Sequence, residues 1–326
     1  MELIKFERDT NTTVQEVFER FLRIKKAKNL SPDTISHYEI HYRYFSEFFD
    51  VNRPCREITL DTYYGYIEYL QETRNANATT INTYLGSLRS ILYFFMEEGY
   101  MSRFAIKLLK KEKKIKETYT DDELALILKK PNLKTCTFAE YRNWVMANYF
   151  LATGNRLRTA LNLQIGHLDF GNNLILMGKT KNGRQQLIPM SRSLSEVLQE
   201  YLAYRKGEAE DFVFCTIHNK QLTRDGTSTI IQKFHRSRGV ERTSIHAYRH
   251  TFAKKWILNG GDIFRLQKIL GHSSVEMVKN YVEMFSDDLQ KDFEQFNPLD
   301  NFVKDKQGKQ IKMVKYLATL DFPKCF

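Results

Sequence analysis

Apolar residues in the first third of the chain recur at helical spacing. Val14, Val17, Phe18, Phe21 and Leu22 form one stripe, and Ile35, Tyr38, Tyr42, Phe45 and Phe49 form a second. Each matches the period that gives a helix a single buried face. Ser31 before Pro32 marks a helix start: a hydroxyl to cap free N–H groups, then a ring whose φ suits the first helical position. Residues 60–70 carry another helical run. Asn77 is a candidate cap for a long helix through Ile81, Tyr84, Leu85, Leu88, Ile91, Leu92 and Phe95, ending near Gly99. The pattern predicts a domain of four or five helices with its tyrosine stripe in the core.

Residues 107–116, KLLKKEKKIK, break this pattern more sharply than any other stretch. A lysine run is usually a solvated linker, although lysines lying along a DNA backbone would also release counterions. Thr120 to Glu123, TDDE, is a capping box and marks the next helix. The domain boundary is therefore placed at about residue 117. Three helices are expected over 120–163, the middle one spanning 138–153 and stopping at Gly154. The period then shortens. Segments 167–170, 174–177 and 186–188 alternate or run apolar, with GNN at 171–173 and KNG at 181–183 as turn signals. They predict a small antiparallel meander. Helices resume over 193–204, 227–238, 246–258, 262–270 and 274–284, and a short piece at 287–296 puts Leu289, Phe293 and Phe296 on one face. The expected fold is mainly α with a small antiparallel β-sheet. A helical domain and its basic linker cover 1–116, a mixed α/β domain covers 117–297, and a tail, lysine-rich and then apolar, covers 298–326.

A length of 326 residues allows each domain its own core. The net charge of +11 points to a polyanionic partner, nucleic acid being the commonest, against the plainer reading of a solvated basic surface. Cys55, Cys136, Cys215 and Cys325 form no C-x-x-C pair. That argues against a zinc site or disulfide framework and fits a reducing compartment. No apolar run reaches the ~18 residues of a membrane span, and the polar N-terminus does not resemble a secretory signal. A cytoplasmic protein with no membrane partner is expected.

Residues 246–281 hold the candidate chemistry. His246 and Arg249 lie three apart, on one face of a helix. Gly271 and His272 follow Leu270 at a helix end, and Tyr281 lies about two turns beyond the cap candidates Ser273 and Ser274. Cations, imidazoles and a phenol are the groups that phosphoryl transfer to tyrosine requires. Two other motifs fail. GKT at 178–180 looks like the end of a phosphate-binding P-loop, but Asn173 stands where that loop needs glycine, and the segment runs from strand to turn. His246 and His250 are spaced i, i+4 without the neighbouring acid of a helical zinc motif, so no metal is expected. In the N-terminal helices, Arg43, Arg74, Asn82, Thr83 and Arg89 are either phosphate contacts or ordinary structural groups, and both readings stay open.

Taken together, His246-x-x-Arg249, Leu270-Gly271-His272 and Tyr281 resemble the signature of the tyrosine recombinases, the phage-integrase family. The likeness includes HAYRHTFA at 246–253 and the spacing from His272 to Tyr281. Upstream, Ala152-Thr153-Gly154-Asn155-Arg156 is similar to the family's first arginine box. The family's lysine belongs in the turn between the second and third strands, where Lys181 fits best, with Lys179 as the alternative. The resemblance covers about residues 10–297. It implies a helical core-binding domain followed by the catalytic domain of a site-specific recombinase or integrase.

By that resemblance, Tyr281 is the nucleophile and forms a 3′-phosphotyrosine. Arg156 and Arg249 neutralise the phosphate, because a guanidinium stays charged and offers forked donors. His246 is the candidate base, Lys181 protonates the leaving 5′-oxygen, and His272 hydrogen-bonds the phosphate. Neither a metal nor ATP, nor any other cofactor, is required. The partner is double-stranded DNA, clamped between the two domains, with a homo-tetramer on two sites that exchanges C-terminal helices, for which 287–296 is the candidate. One departure is Thr159, which stands where the family usually has an acid supporting the first arginine. The rival readings are a relaxing enzyme of the type IB topoisomerase kind and a catalytically silent DNA-binding regulator.

Overall fold

The computed structural model describes residues 11–110, 117–177 and 186–271. The chain divides into two compact units, Met1–Lys114 and Ile115–Phe326. In the first unit four α-helices are described: α1 (Val14–Ala27), α2 (Pro32–Ser46), α3 (Leu60–Glu72) and α4 (Ala78–Glu97). Side-chain caps set their starts. Thr13 and Glu16 close a capping box on α1, Ser31 accepts from the Thr34 N–H ahead of α2, and Asn77 accepts from the N–H groups of Thr79 and Thr80 at the head of α4. The long helix α4 packs against the other three, burying Ile81, Leu85, Leu88, Ile91, Leu92 and Phe95. The aromatic stripes face inward: the Phe18 and Tyr42 rings stack with centroids 3.5 Å apart.

Asn82 has a structural task within this unit. It is buried in α4; its amide donates to the Leu109 carbonyl at 2.8 Å, and its oxygen accepts from the Leu109 N–H at 2.8 Å. The pair holds the segment of chain after α4 against that helix. With its amide engaged and 5% of its surface exposed, Asn82 fits the structural one of the two readings left open for it.

The second unit begins with α5 (Asp121–Leu128), capped by the predicted box of Thr120 and Glu123. Its centre is α6 (Phe138–Thr153), which buries residues on all sides, among them Trp144, Val145, Met146, Tyr149 and Phe150. Such a helix must be surrounded, and it packs against α5, α8 (Arg192–Arg205), α9 (Arg224–Ser237) and α10 (Ile245–Leu258). Gly154 ends α6 in the left-handed conformation, with φ of 60°. A short α7 (Leu157–Leu161) follows, then β1 (Leu168–Asp169), β2 (Leu174–Met177) and β3 (Gln186–Pro189), an antiparallel sheet in the order β1-β2-β3. Ile175 of β2 pairs with Leu168 on one side and Ile188 on the other, which places all three on the buried face. The helix α11 (Ile263–Leu270) completes the described chain and ends at Gly271, again left-handed, with φ of 61°.

The expected fold class stands, with several element boundaries moved. The first strand is only two residues long because the Asp169 carboxylate accepts from the Asn172 N–H at 2.9 Å and turns the chain back early. The helix expected from 227 starts at Arg224, because Thr223 caps it by accepting from the Gly226 N–H at 3.2 Å. The helix expected over 274–284, the piece at 287–296 and the tail lie outside the described residues.

Asn82→Ala should lower the stability of the first unit by about 1–3 kcal/mol, the usual effect of leaving buried polar groups without partners. Urea unfolding measures it. Unchanged stability combined with weakened DNA binding would restore Asn82 as a phosphate contact.

Candidate functional site

Three separated stretches of the second unit meet around Arg249. This residue lies in α10, 5% exposed. Its Nη1 donates to the Gly154 carbonyl at 2.9 Å and its Nη2 to the Leu270 carbonyl at 2.7 Å. Both acceptors sit at helix C-termini, where carbonyls lack helical partners and carry partial negative charge. One guanidinium therefore joins the end of α6, the middle of α10 and the end of α11. Gly154 has no room for a side chain: a Cβ there would lie 2.8 Å from both Leu270 Cδ2 and Phe252 Cδ1.

Arg156 follows two residues later as the N-cap of α7, with extended backbone. The residue between them is buried and anchored. The Asn155 amide donates to the Tyr149 hydroxyl at 2.8 Å, and its N–H donates to Thr153 Oγ1 at 3.3 Å. Arg156 is thereby fixed at its backbone, with its side chain exposed. The Thr159 N–H donates to the Arg156 carbonyl at 3.0 Å, so the position expected to be acidic supports Arg156 through the main chain.

His246 occupies the first turn of α10, open to the surface. Its pKa is lowered below the ordinary histidine value. Loss of surrounding water is the larger cause despite that opening; the positive charges of Arg249, Arg156 and Arg224 follow in that order. The shift favours the neutral imidazole. Arg249 and Arg156, from different segments, act on the same ring. Arg224, at the first position of α9, joins them; the sequence motifs gave no sign of it.

The far side of α10 is braced by a buried aromatic cluster. His235 of α9 is fully buried, with Nε2 2.7 Å from the Tyr248 hydroxyl and Nδ1 3.0 Å from the Arg242 carbonyl. The Tyr119 hydroxyl donates to the Ser244 carbonyl at 2.8 Å, and its N–H donates to Thr251 Oγ1 at 2.8 Å. Burial lowers the His235 pKa and raises that of Tyr248, which keeps both groups neutral. The sheet is tied in as well: Gln186, the first residue of β3, donates to the carbonyls of Lys268 and Ile269 at the end of α11.

Of the six expected catalytic residues, Arg156, His246 and Arg249 are described and brought together; Lys181, His272 and Tyr281 lie outside the described residues, as does Lys179. In the first unit Arg43 and Arg89 are exposed, each with its guanidinium over an adjacent tyrosine ring, Tyr44 at 5.9 Å and Tyr93 at 5.5 Å. Arg74 pairs with Glu47 and lies 4.2 Å over the Tyr44 ring. Thr83 is exposed, with its hydroxyl donating to the Thr79 carbonyl at 2.9 Å.

Comparison with known proteins follows the same division. Residues 117–287 match the model of the phage integrase family, and residues 18–99 match that of the phage integrase N-terminal SAM-like domain. The chain is 26% identical over 298 residues to the tyrosine recombinase XerD of Listeria monocytogenes, covering 87% of this chain and 98% of that protein. In three dimensions it is similar to the Tn1549 transposon integrase in complex with a circular intermediate DNA, with TM-score 0.70, 20% identity, and coverage of 82% of this chain and 94% of that one. It is also similar to a lambda integrase dimer bound to a core site, with TM-score 0.67, 16% identity, and coverage of 83% and 95%. At such identities the two structures speak for the fold alone.

Two measurements check the site. In the free protein the His246 ring protons should titrate with a midpoint below 6.5, and Arg156→Ala should move it upward, since a nearby cation disfavours the imidazolium; a midpoint unmoved by this change would separate the two residues. Gly154→Ala should destabilise by about 2–4 kcal/mol, from its left-handed backbone and from overlap in the core. Gly86→Ala, in a helix and open to space, should stabilise by up to about 1 kcal/mol. Equal shifts of the urea midpoint for the two variants would contradict the packing at Gly154.

Proposed function

The chain belongs to the phage integrase family, and from that premise we propose that it is a tyrosine-type site-specific recombinase that cuts and rejoins double-stranded DNA. The observation that carries this reading is the action of Arg156, at the head of α7, and Arg249, of α10, on His246 of α10, two cations from separate segments on one imidazole. In-line attack on a phosphodiester builds negative charge on the non-bridging oxygens, and fixed guanidinium groups lower the energy of that state.

The roles follow from the chemistry. The Tyr281 hydroxyl attacks phosphorus, and its proton passes to the neutral His246. The bond from phosphorus to the 5′-oxygen breaks, and Lys181 supplies the proton that the leaving oxygen takes up. His272 donates a hydrogen bond to the phosphate. The product is a 3′-phosphotyrosine and a free 5′-hydroxyl. Attack by a 5′-hydroxyl from the other duplex reverses these steps and joins the strands. The phosphoester bond is conserved throughout, so rejoining needs no ATP. Exchange between two duplexes requires four active centres, one for each cut strand, which a homo-tetramer on two sites supplies. Segment 287–296 is the candidate contact between neighbours, from the apolar face of Leu289, Phe293 and Phe296.

Sequencing the DNA that the purified protein retains gives the site. A duplex of that sequence, nicked beside the cut so that the released end is lost, should trap a covalent adduct on a denaturing gel. Tyr281→Phe should abolish the adduct. Arg156→Ala, at an exposed position, should slow its formation by about 100-fold or more with stability unchanged. An adduct surviving in Tyr281→Phe would refute the nucleophile, and cleavage by Arg156→Ala at the unaltered rate would refute the shared phosphate pocket.

A further inference from the structure

We propose that Tyr119 is a positioning residue for His246: its hydroxyl, bonded to the Ser244 carbonyl, fixes the peptide from which the first turn of α10 starts. The inference rests on the base role given to His246 above. Ser244 precedes α10 and supplies no side-chain cap. Its carbonyl accepts from the Ala247 N–H at 3.1 Å and from the Tyr119 hydroxyl at 2.8 Å. Two donors fill the two lone pairs of a carbonyl oxygen and so set the orientation of its peptide. His246 stands two residues further on, at the second position of the helix, so a rotation at Ser244 swings its ring.

The segment around Tyr119 also holds the rest of the approach and the length of the helix. Arg242 pairs with Glu117 at 3.2 Å and with Glu123 at 3.4 Å, carboxylates on either side of Tyr119 in the sequence. The Tyr119 N–H donates to Thr251 Oγ1, about two turns along α10 from Ser244. Lys255, in the last turn, pairs with Asp121.

The hydrogens of the network behind Tyr119 have one consistent arrangement. The Arg242 carbonyl can only accept, so its contact of 3.0 Å with His235 Nδ1 puts the proton of the neutral ring on that nitrogen. Nε2 is then an acceptor and takes the hydrogen of the Tyr248 hydroxyl at 2.7 Å. The Tyr119 oxygen lies 3.3 Å from Nδ1, on the donor side of the ring, which leaves its own hydrogen for Ser244. Burial favours the neutral forms of His235 and Tyr119. The bonds all run in one direction, which strengthens each of them, and the series ends on the Ser244 carbonyl.

The test uses the full-length protein and the nicked duplex of the preceding experiment. Tyr119→Phe removes the hydroxyl and keeps the ring beside Tyr248 and His235, whose centroids lie 4.7 and 5.5 Å away. With the duplex saturated by protein, adduct should form roughly tenfold more slowly, because a displaced base loses rate in the chemical step. Affinity for the duplex should stay unchanged. In the free protein the His246 midpoint should rise towards the ordinary value of about 6.5, because a ring no longer fixed regains water and moves off Arg249 and Arg156. Asp121→Asn, which weakens the pair with Lys255 at the other end of α10, should alter neither rate nor midpoint. Three results overturn the proposal: an unchanged rate at saturation, an unmoved midpoint, or equal losses in Asp121→Asn. Lowered stability in urea with rate and midpoint intact would make Tyr119 a purely structural group, and so also overturns it. If the unaltered protein forms no adduct, the recombinase reading fails; the midpoint, read without DNA, then decides by itself whether Tyr119 holds His246.

Discussion

A buried guanidinium must be given hydrogen-bond acceptors, because its charge cannot be removed by losing a proton. Arg249 takes them from the Gly154 and Leu270 carbonyls. Each helix end gains a donor for an orphan carbonyl, and the arginine gains a fixed position. The close approach is possible because Gly154 lacks a side chain where Leu270 and Phe252 come within contact. One interaction thus sets the distance between the first arginine box and the segment that runs into His272.

The rest of the second unit prevents that junction from drifting. The Tyr119, His235 and Tyr248 cluster holds α10 from the opposite side, and Gln186 fastens β3 to the end of α11. The side chains proposed for catalysis, Arg249 and His246, therefore stand on a braced element. Geometry held in this way needs little reorganisation when charge develops on a substrate, which is where electrostatic catalysis gains its advantage.

The electrostatic design is one-sided. Arg156, Arg224 and Arg249 all disfavour a charged His246, and the acid expected three residues after Arg156 is replaced by Thr159. Arg156 is instead constrained along the backbone, by the anchored Asn155 before it and by the Thr159 N–H on its carbonyl. In the proposed mechanism, the lack of a carboxylate at that position leaves more of the arginine's charge for a bound phosphate, and the neighbouring cations favour the neutral form of His246.

Local physics made much of this legible in the sequence. Caps at Thr13, Ser31, Asn77 and Thr120, the glycine stop at Gly154 and the change of period before β2 all depend on residues within a few positions of one another. The motif residues Arg156, His246 and Arg249 were legible for a similar reason, since their chemistry and spacing name a reaction. Other features depend on distant partners. Asn82 left two readings open in the sequence, and its bonds to Leu109, 27 residues away, are what show its structural task. Thr227 read as a helix start until it was buried one turn inside α9. Arg224 belongs to no local pattern; only the folding of α9 beside α7 and α10 brings its charge to His246. The sequence by itself determined the elements and the reaction type, because periodicity, capping and functional groups are short-range properties. The tertiary structure alone decided which cations act on His246, because that depends on contacts between segments up to about a hundred residues apart, which helix and strand periodicity does not encode.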